Sequence, residues 1–239
     1  ITTGCDGPPT HPGAAVLPGF VNAHSHAFQR GLRGRGERFP GEAEDFWTWR
    51  EAMYGLVECM DADRMKALCR AAFMEMRRAG ITAVGEFHYL HHADPEARDF
   101  AMDAAVLEAA QMAGIRIVLL QAAYTHGGFG SPLSGGQRHF DTGDLDTWVA
   151  SLEAAQRACD AQTQSVGAVV HSLRAVDIEQ AVAIRAEASR RGMVLHAHLE
   201  EQPAEIEACR EAHGCTPMHL VNTRLSPGSD MTLVHCTHT

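Results

Sequence analysis

Two histidine pairs carry the chemistry that is legible in this chain. His24-Ser25-His26 follows an apolar run, Val16 to Val21, that reads as a buried strand broken by Pro18-Gly19. On extended backbone, residues two apart point to the same side, so both imidazoles can reach one ion at the strand end. Imidazole is a common ligand of zinc and of other first-row metals. Alone, such a pair is more often two polar residues in a loop. His196-Ala197-His198 repeats the pattern at the end of another predicted strand, and it too would read alone as a satisfied polar pair. Two such pairs at strand ends of one fold favour a site. Three imidazoles from two strands form the core of a zinc site with an open position. His235, closing the last predicted strand, is a candidate acid or base beside the metal. Glu201 lies three residues beyond His198, within reach of a proton near the ion; it also suits the start of a helix, where a carboxylate complements the dipole. His91, His92, His139, His213 and His219 lack this spacing and are assigned to the surface or to the surroundings of the site. No Gly-x-Ser-x-Gly elbow or Cys/His arrangement offers a protein nucleophile, so activated water is the expected attacking group.

These side chains need a scaffold that gathers strand ends. After His26, the stretch from Arg30 to Gly41 reads as a long glycine-rich loop. A helix is predicted over about 45–57. The next, capped by Asp61 or Asp63, runs to Ala79, with Met65, Leu68, Ala72, Phe73 and Met76 on an apolar stripe and Gly80 as its stop. Strands are expected at 81–87, 115–121, 166–170, 193–195 and 231–234. Helices between them are expected at about 95–113, 145–159, 176–191, 203–213 and 216–224, with a polar loop over 131–143. Alternating strands and helices imply a parallel sheet. No dinucleotide-type glycine fingerprint follows the first strand. Polar residues close every strand, as at the C-terminal face of a TIM barrel. The expected fold is therefore α/β: a (β/α)8 barrel truncated after about strand six.

Composition narrows the partners. A net charge of −10 argues against a nucleic-acid surface. No run approaches the ~18 apolar residues of a membrane span. The N-terminus lacks the basic start and apolar core of a signal peptide. Seven scattered cysteines without a Cys-x-x-Cys pair read as reduced thiols in a cytoplasmic protein. The chain does not begin with methionine, and the expectation is that it starts inside a longer gene product.

The segment Pro18-Gly-Phe-Val-Asn-Ala-His24-Ser-His26 resembles the first-strand motif of the amidohydrolase superfamily. Longer blocks are narrower: His24-Ser-His-Ala-Phe-Gln-Arg30, Phe46-Trp-Thr-Trp-Arg50-Glu-Ala-Met-Tyr54, Gly85-Glu-Phe-His-Tyr89-Leu-His-His92, His171-Ser-Leu-Arg174-Ala-Val and Leu233-Val-His235-Cys-Thr-His238. Together they resemble the formimidoylglutamate deiminase branch of that superfamily. The resemblance implies a (β/α)8 barrel with one zinc and a small β-sandwich built from both chain ends. Residues 1–15 would then be a sandwich remnant or linker, and 16–239 an incomplete barrel. It implies His24, His26 and His198 as ligands of one divalent ion, zinc, with iron also suited to imidazole. Glu201 would carry a proton to the substrate's imino nitrogen, and His235 would assist the hydrolytic water or the tetrahedral intermediate. Gln29, Arg50, Tyr89, His171 and Arg174 would hold the substrate, the two guanidiniums matching its carboxylates. The implied reaction, in histidine breakdown, is hydrolysis of N-formimidoyl-L-glutamate to N-formyl-L-glutamate and ammonia, by a cytoplasmic homodimer. The family's fourth ligand and general base, an aspartate closing strand eight, falls beyond residue 239, so the piece itself is expected to be impaired. The alternatives are another deaminase of the superfamily, acting on a nucleobase or triazine, and a non-catalytic metal-binding remnant.

Overall fold

Six parallel strands pair side by side in chain order. They are β1 (Phe20–Ser25), β2 (Ile81–His88), β3 (Arg116–Ala123), β4 (Gln164–Val170), β5 (Leu195–Leu199) and β6 (Met231–His235). The computed structural model describes residues 17–34 and 46–238. Residues 1–16 and 35–45 lie outside the described residues, and with them the expected sandwich remnant and most of the glycine-rich loop. The sheet curls into a half-barrel. In a flat sheet β1 and β5 would sit four strand spacings apart, roughly 19 Å, yet ring nitrogens of His24 and His198 lie 3.3 Å apart.

Seven α-helices accompany the strands among the described residues: α1 (Phe46–Val57), α2 (Ala62–Arg78), α3 (Ala101–Ala113), α4 (Leu145–Ala158), α5 (Ile178–Arg190), α6 (Pro203–His213) and α7 (Pro217–Arg224). Three start on the same device, an aspartate accepting the backbone N–H three residues on: Asp61 from Arg64, Asp144 from Thr147, Asp177 from Gln180. Met65, Phe73, Met102, Trp148 and Leu152 of the helices are fully buried, as is Leu119 of β3. That packing fixes the strand ends from outside.

Several boundaries move, each for a local reason. β1 starts at Phe20, not Val16, because Pro18 has no N–H to pair; the first bond is Phe20 N–H to the Gly80 carbonyl. His24 therefore lies inside the strand. A 3₁₀ helix over Ala27–Leu32 takes the start of the predicted loop, and another over Gly135–Phe140 interrupts the polar loop after β3. α3 begins at Ala101, not Pro95, because Arg98 (φ 46°) and Phe100 (φ 52°) adopt left-handed backbone. β5 extends through Leu199, so His196 and His198 lie on the strand itself. Of the five histidines assigned to the surface or to the site's surroundings, His213 and His219 are exposed, whereas His91, His92 and His139 are buried. The His91 ring hydrogen-bonds the Ala122 carbonyl of β3, and the rings of His92 and His139 hydrogen-bond carbonyls of the loops after β3 and β2.

Candidate metal centre and cavity

At the C-terminal mouth of the curl, three imidazoles converge. His24 Nε2 lies 3.1 Å from His26 Nε2 and 3.3 Å from His198 Nε2. His26 Nδ1 sits 2.8 Å from the Phe87 carbonyl oxygen. A carbonyl only accepts, so Nδ1 carries the proton and Nε2 presents its lone pair. Nitrogens held about 2.0–2.1 Å from a tetrahedral zinc are about 3.3 Å apart, which is the spacing observed. Burial pushes His24 down to about 4, with repulsion from His235 and His196 added. It pushes His26 to about 3, with His24 next in effect, and His198 well below the ordinary histidine range. The neutral ring is the ligating form. Lone pairs this close repel unless a cation stands among them, so the donor set fits a divalent ion.

A cavity of about 320 Å³ opens over these rings. His24, His26 and His198 line it, with Glu201 and His235 beside them and Gln29, Arg50, Tyr89, His171 and Arg174 around them. The ten residues that the family resemblance assigned to the site thus border one space. The turns that aim them carry left-handed backbone at non-glycine residues: Glu200 (φ 53°) before Glu201, and His235 (φ 75°) with Cys236 (φ 50°) leaving β6. The Glu200 carboxylate accepts the Met218 N–H, and Cys236 N–H donates to the Leu199 carbonyl. These bonds bring Glu201 Oε1 within 3.8 Å of His235 Nε2.

Arg174 donates to Glu201 Oε2 at 3.3 Å and faces Glu205 Oε1 at 3.7 Å. Burial, opposed by the Arg174 charge, raises the Glu205 carboxyl above the ordinary range. Arg50 donates from Nε to the Tyr54 hydroxyl at 2.7 Å, one helical turn away. Gln29 donates to the Tyr89 hydroxyl at 2.7 Å, and the Tyr89 ring packs edge-on against His26 and His171. Burial, followed by the Arg174 charge, holds His171 well below the ordinary histidine range.

Sequence reasoning missed the aromatic wall. Trp49, Met53 and Tyr54 join Arg50 on the cavity face of α1, and Tyr124 and Phe140 close the other side. The helical spacing around Arg50 could have flagged the first three. Tyr124 and Phe140 come from a loop and a 3₁₀ turn with no periodic signal. His196, the other half of its pair, borders a second cavity on the inner face of the sheet, where its Nδ1 is buried without a partner.

Residues 15–239 match the Amidohydrolase family. The chain is 37% identical over 231 residues to a formimidoylglutamate deiminase from Pseudomonas aeruginosa, covering 95% of this chain and 50% of that protein. A crystal structure of an amidohydrolase from Brucella melitensis superposes with a TM-score of 0.86 at 33% identity, over 93% of this chain and 50% of that one. An adenosine deaminase from Xanthomonas campestris, solved with bound zinc, shares the fold at 19% identity and a TM-score of 0.72, over 93% of this chain and 45% of that one. The chain thus spans about half the length of the curated relatives it matches. A match of this extent, on a curled parallel sheet whose strand ends gather three imidazoles, makes the chain a member of the amidohydrolase family.

Proposed function

We propose that the cavity serves hydrolysis of N-formimidoyl-L-glutamate to N-formyl-L-glutamate and ammonia. The observation that carries this reading is that two guanidiniums, Arg50 and Arg174, border the same small cavity as a three-imidazole cluster and a carboxylate. A substrate with two carboxylates and an amidine calls for that combination. The 37% identical relative named for this activity supports it.

When bound by His24, His26 and His198, a divalent ion, zinc on this reading with iron suited to the same ligands, supplies a Lewis acid and a water acidified toward a pKa of about 7. The rest falls to the chain's own residues. Water adds across the C=N bond, placing a hydroxyl on carbon and a proton on nitrogen; the C–N bond then breaks as the hydroxyl gives up its proton to become the formyl carbonyl, and the nitrogen takes up a proton to leave as ammonia. Glu201 delivers that proton, and His235, 3.8 Å from it, steadies the adding oxygen. Arg50 and Arg174 pair with the substrate carboxylates, while Gln29, Tyr89 and His171 shape the space between. On the family resemblance the enzyme is a cytoplasmic homodimer of histidine breakdown.

The aromatic wall of Trp49, Tyr54, Tyr89, Tyr124 and Phe140 also suits a flat ring, which favours a nucleobase or triazine deaminase as the second reading. The deciding experiment measures ammonia release from N-formimidoyl-L-glutamate, guanine and cytosine with zinc, for this chain and for one extended through strands seven and eight. Release from N-formimidoyl-L-glutamate by the extended chain is expected. Release from a ring substrate alone overturns the proposal in favour of the second reading. No release from any of them points to a non-catalytic metal-binding protein.

A further inference from the structure

Behind the cavity wall, between β2, β3 and α3, four polar side chains are fully buried: His88, His91, Asp103 and Gln121. None of them lines the cavity. Two, His88 and His91, flank Tyr89, whose hydroxyl meets Gln29 inside the cavity. His88 Nε2 lies 2.9 Å and His91 Nδ1 2.8 Å from the same carboxylate oxygen, Asp103 Oδ1. The amide nitrogen of Gln121 donates to Oδ2 and also contacts the Ser151 hydroxyl. His91 Nε2 lies 2.9 Å from the Ala122 carbonyl oxygen, which only accepts. Nε2 of His91 therefore carries a proton. A second proton is shared between His91 Nδ1 and Asp103 Oδ1, and the neighbours decide where it rests. With the proton on His91, Asp103 is a carboxylate receiving three donors, from His88, His91 and Gln121. With it on Asp103, Oδ1 donates to His91 Nδ1, only His88 and Gln121 still donate, to a neutral acid, and His91 loses its charge. Three donors favour the anion.

We propose that Asp103 and a protonated His91 form a buried ion pair, bridged to His88, that positions the Tyr89 turn beside the cavity. Two properties of the cluster agree. Burial works against charge on Asp103, but His91 and the hydrogen bonds from both rings outweigh it and hold the carboxyl below the ordinary range. Burial, only partly offset by Asp103, keeps His88 below the ordinary histidine range. The turn is also latched from its far side. The backbone N–H groups of His91 and His92 both donate to the His139 carbonyl, and Met102 N–H donates to that of His91. The backbone at Tyr89 is thereby tied on both flanks. Ligand atoms of His88, His91 and Asp103 lie close enough to suit a metal ion. An ion there would have to break both ring bonds to Oδ1 while Gln121 aims a donor at the same carboxylate. The other ionisable ring facing the pair is His92, whose centroid lies 6.1 Å from that of His91.

The test is nitrogen-resolved NMR of the histidine rings in the uniformly ¹⁵N-labelled chain. Two protonated ring nitrogens on His91 at neutral pH are expected, with its Nδ1 proton protected from exchange. The D103N variant is expected to lose that proton and to shift the Tyr89 ring and Gln29 amide signals. A His91 ring with one bare nitrogen in the wild-type chain places the proton on Asp103 and overturns the ion pair, whether or not the variant folds. D103N with unmoved Tyr89 and Gln29 signals overturns the positioning role. Zinc titration that shifts His88 and His91 together shows a metal site in place of the pair.

Discussion

Individual side chains in this cavity are held by bonds that turnover would have to exchange. Glu201 rests between Arg174, at 3.3 Å, and His235, at 3.8 Å. A carboxylate in that position can take a proton and pass it on without moving far. In a complete enzyme, Glu201→Gln is expected to retain zinc, measured by metal analysis, while kcat falls by about 10²–10⁴-fold, the range for a lost acid/base group. Unchanged kcat would remove Glu201 from the chemistry. Arg50→Ala and Arg174→Ala are expected chiefly to raise KM, as loss of uniform binding does; steady-state kinetics that leave KM untouched in both would remove the carboxylate clamp. One buried carboxyl outside the cavity gives a pH prediction. Burial pushes Glu86 up to about 8, against the hydrogen bonds it accepts from the Ala27 N–H and Ser25. The folded state therefore binds a proton that the unfolded state releases near its ordinary pKa of ~4.3. This contribution to stability is fully present below that value and is lost as pH rises through about 8. Glu86→Gln should keep the Ala27 bond and remove the alkaline loss, raising Tm above pH ~8 by about 2–4 °C for each ~1 kcal/mol recovered. Parallel melting curves for both proteins across that range would contradict a buried neutral acid.

The three-imidazole cluster depends on elements as much as on side chains, because His24 rides on β1 and His198 on β5. β1 is an edge strand, and its pairing with β2 is irregular between Asn22 and Ser25, where His24 sits. Gly85 of β2 faces it there. A Cβ on Gly85 would meet the Ala23 carbonyl oxygen at 2.7 Å and Leu120 at 3.3 Å. Backbone cannot swing aside as a side chain can, so Gly85→Ala should push β1 outward at the ligand. Overpacking of this kind costs about 1–3 kcal/mol. Chemical denaturation should register that loss, and zinc affinity should fall with it even though no ligand has changed. Equal zinc affinity would mean that the cluster tolerates a displaced β1. One helix was legible through its start and stop, Asp61 capping α2 and Gly80 following its end; Asp144, Asp177 and Gly214 cap α4, α5 and α6 in the same manner, a signal that the sequence reading did not use. The start of α3 was not legible, because a left-handed Arg98 and Phe100 carry no residue-type signature.

At the scale of the molecule, six strands curl without closing a barrel among the described residues, and β1 and β6 are the edges of the sheet there. A second cavity, about 530 Å³, opens on the inner face, bordered by Val21, Leu120, Val194 and other apolar groups of several strands. Phe20, Val21 and Val194 are exposed there or at the β1 edge. Apolar surface of this extent should bind an apolar dye such as ANS in the 239-residue chain, and extension through the remaining strands of the barrel should quench that binding. Dye fluorescence that is absent from both, or equal in both, would show that the inner face is covered otherwise. The sequence by itself determined the strand–helix alternation, the parallel sheet and the histidines at its strand ends, because periodicity, caps and local spacing are properties of neighbouring residues. The family resemblance assigned Gln29, Arg50, Tyr89 and Arg174 to one site, and the tertiary structure brings these distant residues to the border of one space. Only the tertiary structure decided that Tyr124 and Phe140 complete the wall, and that His91 and His139 are buried behind it. Those relations depend on how far the sheet curls and which loop folds over which strand end. Distances across a barrel mouth are set by the packing of whole elements, and spacing along the chain does not encode them.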